Sequence, residues 1–154
     1  MPQPRPPLAT IGYQAATVAS FLQALQAAGI ELLVDVRAVA SSRRPGFAKS
    51  RLAATLSECD IGYRHLRGLG TPAEGRAAAR AGRFARLRTI YRAHLATAGA
   101  QAELAELIEL VRSGCPVCLL CFEADPAHCH RSMVADAVRA ELPVGLVHLR
   151  PSDV

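Results

Sequence analysis

The sequence predicts an α/β fold, a three-layer sandwich with a mainly parallel sheet of about five strands. Short apolar runs alternate along the chain with segments whose apolar residues recur at helical spacing. Two of the runs, residues 31–36 and 117–122, are almost continuously apolar, the pattern of strands covered on both faces rather than one. The resulting order, β-α-β-α-β-α-α-β-α-β, suits right-handed crossovers that lay helices on both sides of one sheet.

Each element has its own signal. Residues 8–12, Leu-Ala-Thr-Ile-Gly, read as the first strand. Residues 17–28 carry Val18, Phe21, Leu22 and Leu25 on one helical stripe, and Gly29 stops them. The strand 31–36 closes on Asp35, with Arg37 just beyond, and a polar loop from Ser41 to Gly46 follows. Ser50 is placed to cap a helix reaching Leu56. Residues 61–66 form a short strand, and the glycine-rich stretch 68–72 a turn, with Pro72 suited to the first turn of a helix. Residues 84–95 and 100–112 read as two helices separated by Gly99. Gly114 and Pro116 break the chain before the strand 117–122. A helix follows over 132–141, Pro143 stops it, and 144–149 closes the sheet. The proline-rich residues 1–7 form a flexible arm, and 8–151 a single α/β domain.

Composition narrows the class. With 51% apolar and 20% charged residues the chain has the balance of a soluble globular protein. No apolar run is long enough to span a membrane, and the N-terminus lacks the apolar core of a signal peptide. Five cysteines are an odd number, in a chain too large to need disulfide staples, so a reducing cytoplasm is expected. The net charge of +5 is unevenly spread: from Arg37 to Arg92 there are thirteen Arg or Lys against three acids, Glu58, Asp60 and Glu74. That asymmetry points to an anionic partner, a phosphate-bearing small molecule or nucleic acid, against a bland reading as solvated surface.

The densest chemistry lies in residues 121–132, where Cys121, Glu123, Asp125, His128, Cys129, His130 and Arg131 bridge the end of an apolar strand and the start of a helix. Strand ends that open helices are where open α/β folds bind ligands, and a helix N-terminus favours anions and thiolates. Glu123 and His130 suit acid–base roles, Cys129 a nucleophile, and Arg131 an anion clamp. The Cys-x5-Arg loop that wraps a transferring group is missing, because Ala135 stands where the arginine would be. Asp35 and Arg37, two apart on a strand, share a face and can enter the same crevice or pair with each other. Tyr63 and His65 alternate in the same way, and Arg44 sits in the polar loop.

Two other patterns are weaker. Cys115, Cys118 and Cys121, followed by Cys129 and His130, have a spacing that invites zinc. A strand over 117–122 would turn Cys118 and Cys121 to opposite faces, so no metal site is expected there and Cys121 reads as a small core residue. Gly68 and Gly70 do not follow the first strand of a βαβ unit and do not form a dinucleotide fingerprint. Arg76, Arg80 and Arg83, like Arg88 and Arg92, repeat at helical spacing as a basic stripe with little aromatic interleaving.

Taken together these segments resemble the domain-of-unknown-function 488 family. The resemblance is carried by Thr10-Ile11-Gly12-Tyr13, Leu33-Val34-Asp35-Val36-Arg37, Ser42-Arg43-Arg44-Pro45-Gly46-Phe47, Tyr63-Arg64-His65-Leu66 with Leu69-Gly70, and Leu120-Cys121-Phe122-Glu123 with Cys129-His130-Arg131. It implies a bacterial or archaeal cytosolic α/β domain and no particular activity. Cys115 and Cys118 fall outside its pattern.

The expected site is one polar pocket at the carboxyl end of the sheet, gathering Asp35, Arg37, Arg44, Tyr63, His65, Glu123, Cys129, His130 and Arg131 around a phosphate-bearing ligand, with no cofactor named by the residues. Catalysis on a nucleotide or nucleic acid, binding of one without turnover, and a zinc- or thiol-based redox sensor are the three readings the residues leave open.

Overall fold

The computed structural model describes residues 5–151. Most of the arm expected over 1–7 therefore lies outside the described residues, and 5–7 are irregular backbone leading into the first strand. Five strands form one sheet: β1 (Leu8–Gly12), β2 (Leu32–Asp35), β3 (Gly62–His65), β4 (Val117–Cys121) and β5 (Leu146–Leu149). Their spatial order is β3-β2-β4-β1-β5, and every neighbouring pair is parallel. Six α-helices connect them: α1 (Val18–Ala27), α2 (Lys49–Glu58), α3 (Ala73–Arg80), α4 (Phe84–Leu95), α5 (Ala98–Arg112) and α6 (Arg131–Glu141). The fold is the three-layer α/β sandwich that the alternating pattern predicts.

The alternation of side chains along the strands divides the interior in two. Ala9, Ile11, Leu33, Cys118 and Leu120 face Phe21 and Leu25 of α1 and Leu52 and Leu56 of α2. Leu8, Val34, Val117 and Leu119 face the other way, onto Tyr91 of α4, Leu104 and Leu107 of α5, and Val134 and Val138 of α6. β4 lies at the centre of the sheet and is buried along its whole length, which is why its sequence shows no polar alternation. None of the helices among the described residues is long and apolar enough to cross a membrane.

Three details depart from the sequence reading. α3 forms a helix of its own, cushioned on α4 through Gly75 and Ala78, because small residues replace the apolar stripe that normally announces a helix. Gly99 lies inside the first turn of α5, not between helices; Thr97 caps that turn, and its free N–H groups tolerate glycine there. Ala48, not Ser50, occupies the N-cap of α2, with no side-chain hydrogen bond.

Candidate functional site

The loops after β1, β2 and β4 meet at the carboxyl edge of the sheet. The helices after β1 and β2 pack on one face and the helix after β4 on the other. The backbone thus parts above β4, and ligands of open α/β sheets bind in such crevices. A cavity of about 280 Å³ lies there, roofed by α3 and the start of α4. Tyr13, Arg37, Glu123, Cys129 and His130 contribute to its wall, together with Arg76 and Arg80 of α3.

The nine residues expected in one pocket do not all reach it. Arg37, Glu123, Cys129 and His130 line the cavity. Asp35 lies fully buried beneath it, 2.7 Å from the Arg37 guanidinium in a fork that also uses Arg37 Nε at 2.9 Å. Arg37 donates its remaining bonds to the Tyr13 hydroxyl and the Phe47 carbonyl. Burial opposes the Arg37 charge, but its bonds and attraction to Asp35, and to Tyr13, outweigh burial and hold the proton more tightly than usual. The Tyr63 hydroxyl donates to the same Asp35 carboxylate, and burial, followed by that carboxylate, raises its pKa. Buried Asp35 and Arg37 and half-buried Tyr63 form a bonded pillar whose top, Arg37, reaches the cavity wall.

His65 lies outside the cavity. Its ring contacts the Arg37 carbonyl at 2.7 Å and borders a shallower groove alongside Ser41, Lys49 and Arg67. Arg44 turns inward to donate to the carbonyls of Tyr13, Gln14 and Ala16, fixing the loop after β1. Arg131 is fully buried and donates to the Glu123 and Ala124 carbonyls, with no carboxylate paired to it among the described residues. Burial lowers its pKa to about 10, which leaves it charged at neutral pH. The two carbonyl bonds hold the shape of the strand-end loop and peg the backbone that presents Glu123, and the Arg131 Nε–H has no partner among the described residues.

That loop is held from a second side. Gly12, the last residue of β1, lies directly against it, and a Cβ added at Gly12 would overlap the Glu123 carbonyl oxygen. The obstacle is backbone, so no rotamer change relieves it. Gly12→Ala is expected to cost about 1–3 kcal/mol, the usual range for overpacking, in a urea titration. An unchanged midpoint would show that the loop is not clamped between β1 and Arg131.

Glu123 is half-buried. Desolvation raises its carboxyl pKa, opposed by the charges of His128 and Arg131. His130 is buried, and desolvation lowers its pKa to about 4, so the ring is neutral at physiological pH. Its Nε2 lies 2.6 Å from the Val36 carbonyl oxygen, which can only accept, so Nε2 carries the proton. Nδ1 is left as a lone pair 3.6 Å from the Cys129 sulfur and 3.7 Å from the Cys121 sulfur.

Cys121 corrects the sequence reading. It is not simply a core residue: it lines the cavity and is joined to Cys129 by a disulfide. The expectation of cysteines without disulfides is thus overturned at this one local link, which ties the end of β4 to the entry of α6. Cys118 lies in the core on the α1–α2 side, and Cys115 is a free, partly buried thiol, so neither joins the pair.

Cavity residues outside the nine expected in the pocket include Tyr13, Cys121, Arg76 and Arg80. The arginines did leave a signal, since they are four apart and so on one helix face. Nothing in the sequence said that α3 would fold over the strand ends.

The family model described as Domain of unknown function DUF488 matches residues 17–138. The chain belongs to this family. The DUF488 match begins at the cap of α1 and ends within α6, so it contains α3, β4 and the whole loop carrying Glu123, Cys129 and His130, but neither edge strand β5 nor the Tyr13 loop. No curated protein and no solved structure matches the chain.

Proposed function

We propose that the strand-end cavity binds a small phosphate-bearing ligand, a mononucleotide or smaller, between the α3 arginines and the loop after β4. One observation carries this reading. Arg76 and Arg80 both border the cavity, one helical turn apart, and neither is paired with a carboxylate among the described residues. Of the clamps expected from sequence, Arg37 has its donors engaged by Asp35, Tyr13 and the Phe47 carbonyl, while Arg131 is fully buried off the cavity wall, donating to two loop carbonyls with its Nε–H unpartnered among the described residues. The anion-binding role passes to Arg76 and Arg80, which border the cavity itself: Arg76 gives one N–H to the Thr71 carbonyl at 2.9 Å, and neither charge meets a carboxylate among the described residues. Phosphate favours such a pair because guanidinium forks match its oxygens in charge and geometry.

The opposite wall supplies groups suited to proton transfer. Glu123 is a carboxyl whose pKa is raised by burial, able to carry a proton closer to neutrality than an exposed glutamate. His130 is a neutral imidazole. Both stand where a ligand anchored on α3 would present its non-phosphate end. The cavity volume, about 280 Å³, is at the low end for ligand pockets and favours a small molecule over a polymer.

A thermal-shift screen of inorganic phosphate, mononucleotides and sugar phosphates tests the reading. A ligand at a hundred times its Kd adds about 2.7 kcal/mol, or roughly 2–4 °C of Tm per kcal/mol for a domain of this size. Arg76→Ala with Arg80→Ala is expected to abolish the shift while lowering the unliganded stability by no more than about 1 kcal/mol, the usual worth of the one bond from Arg76 to the Thr71 carbonyl, since Arg76 is half-buried and Arg80 exposed. Lack of response to every phosphate compound, or an equal response in the double variant, sinks it. Salt-sensitive binding of oligonucleotides without a mononucleotide response would move the function to the exposed basic face of α4.

A further inference from the structure

Cys121, Cys129 and His130 each bring a ligand atom to within 4.8 Å of the other two, and all three residues are buried. The imidazole is already oriented as metal-binding histidines are. Its Nε2–H is donated to a backbone carbonyl, that of Val36, and the Nδ1 lone pair faces both sulfurs. The two sulfur–nitrogen distances agree. Tetrahedral zinc, with Zn–S of about 2.3 Å and Zn–N of about 2.0–2.1 Å, sets each S···N edge at about 3.5 Å. The observed separations are 3.6 and 3.7 Å. All three residues also line the cavity, so a fourth coordination position would face it rather than a fourth side chain. Three protein ligands and one open position are the arrangement of catalytic rather than structural zinc. In the structure the two sulfurs are joined as a disulfide, and a disulfide has no thiolate to give a metal.

We propose that Cys121, Cys129 and His130 form a redox-gated site for a thiophilic divalent cation, closed as the disulfide and open as a Cys2His centre on the cavity wall. Opening is a two-electron step. Two equivalents of an external thiol, or one dithiol, break the S–S bond and are themselves oxidised to a disulfide. They leave two protein thiols that carry the two protons. Binding of the divalent ion then releases both protons and forms two metal–thiolate bonds and one metal–Nδ1 bond. Closing reverses the sequence with a small-molecule disulfide as oxidant and expels the ion. The site differs from the cysteine spacing that first suggests zinc, because Cys115 and Cys118 take no part. It stands independently of the phosphate reading.

The test uses the full chain. Protein reduced with a phosphine and freed of reductant without air is given Zn(II), desalted, and assayed for bound metal by mass spectrometry. Co(II) in place of Zn(II) gives a direct spectrum, with thiolate-to-metal charge transfer and the visible bands of tetrahedral cobalt. One equivalent per chain is expected for reduced wild type, and none after diamide oxidation. Cys115→Ser and Cys118→Ser should keep the site; Cys121→Ser and Cys129→Ser should lose the charge-transfer band or weaken binding at least tenfold. The oxidised-against-reduced comparison needs no substitution, so a poorly folded variant does not shield the proposal. Reduced wild type that binds no metal overturns it, as does equal binding in the oxidised protein or binding lost only with Cys115 or Cys118.

Discussion

Asp35→Ala is expected to lower stability by about 3–5 kcal/mol, the cost of leaving one member of a buried ion pair without the other. Asp35 is fully buried, and it alone neutralises the Arg37 guanidinium, 5% exposed, with two bonds of 2.7 and 2.9 Å. The substitution also leaves the Tyr63 hydroxyl without its acceptor. Native domains are stable by only about 5–15 kcal/mol, so this variant should lie near the limit of folding. Urea titration with linear extrapolation provides the number. A second variant separates charge from packing. Asp35→Ala combined with Arg37→Met removes both charges and should be more stable than Asp35→Ala alone, because no unpaired guanidinium remains buried. If Asp35→Ala costs less than about 1 kcal/mol, or if adding Arg37→Met makes matters worse, the pillar beneath the cavity is not an ion pair in the sense drawn above.

The same pair shows what the sequence could and could not reveal. Two residues apart on a strand, Asp35 and Arg37 had to share a face. Whether they would point at a ligand or at each other depended on Tyr13 and Tyr63, from other strands or their loops, and on Phe47 in the following loop, which supply the remaining bonds. β4 was legible because a strand buried on both faces admits only apolar side chains. α3 was not, because Ala-Glu-Gly-Arg-Ala-Ala-Ala-Arg packs through small residues and leaves no apolar stripe, only a basic one. The crevice at the sheet edge followed from the β-α alternation. Its occupants did not, since the route of the loop that returns Cys129 to Cys121, a sequence separation of 8, is set by Arg131 bonding to loop carbonyls and by Phe84 stacking on His128 at 4.0 Å. Local periodicity encodes which layer a residue joins; long-range polar bonds decide which way a loop residue faces.

His130 should make the protein acid-sensitive within a defined window. Its folded-state pKa is about 4 against an ordinary 6.5, mainly through desolvation; the Val36 hydrogen bond opposes that shift, Arg131 and His94 add to it, and Asp35 resists it. The lowered value fixes the sign. Between pH 6.5 and 4 the unfolded chain binds a proton at this position and the folded chain does not, so stability falls as pH falls. Above about pH 7 neither state is protonated and the effect vanishes; below the folded pKa both are, and the loss levels off. The difference between 6.5 and 4 amounts to about 3 kcal/mol at roughly 1.36 kcal/mol per pKa unit. Glu123 acts with opposite sign, since a carboxyl raised by burial binds its proton more readily in the folded state and gains stability on acidification. The measurement is therefore a difference. Urea unfolding of wild type and His130→Gln, both carrying Glu123→Gln and with a chelator present, is compared at about pH 7 and pH 4. The amide introduced by His130→Gln can still donate to the Val36 carbonyl but has no proton to gain, so the protein that keeps the imidazole should lose about 3 kcal/mol more than the variant over that span. His148, whose pKa is also lowered by burial, is common to both proteins and cancels. Equal losses in the two proteins would mean that the imidazole is already charged or exposed in the folded state, and the lone pair facing the two sulfurs would go with it.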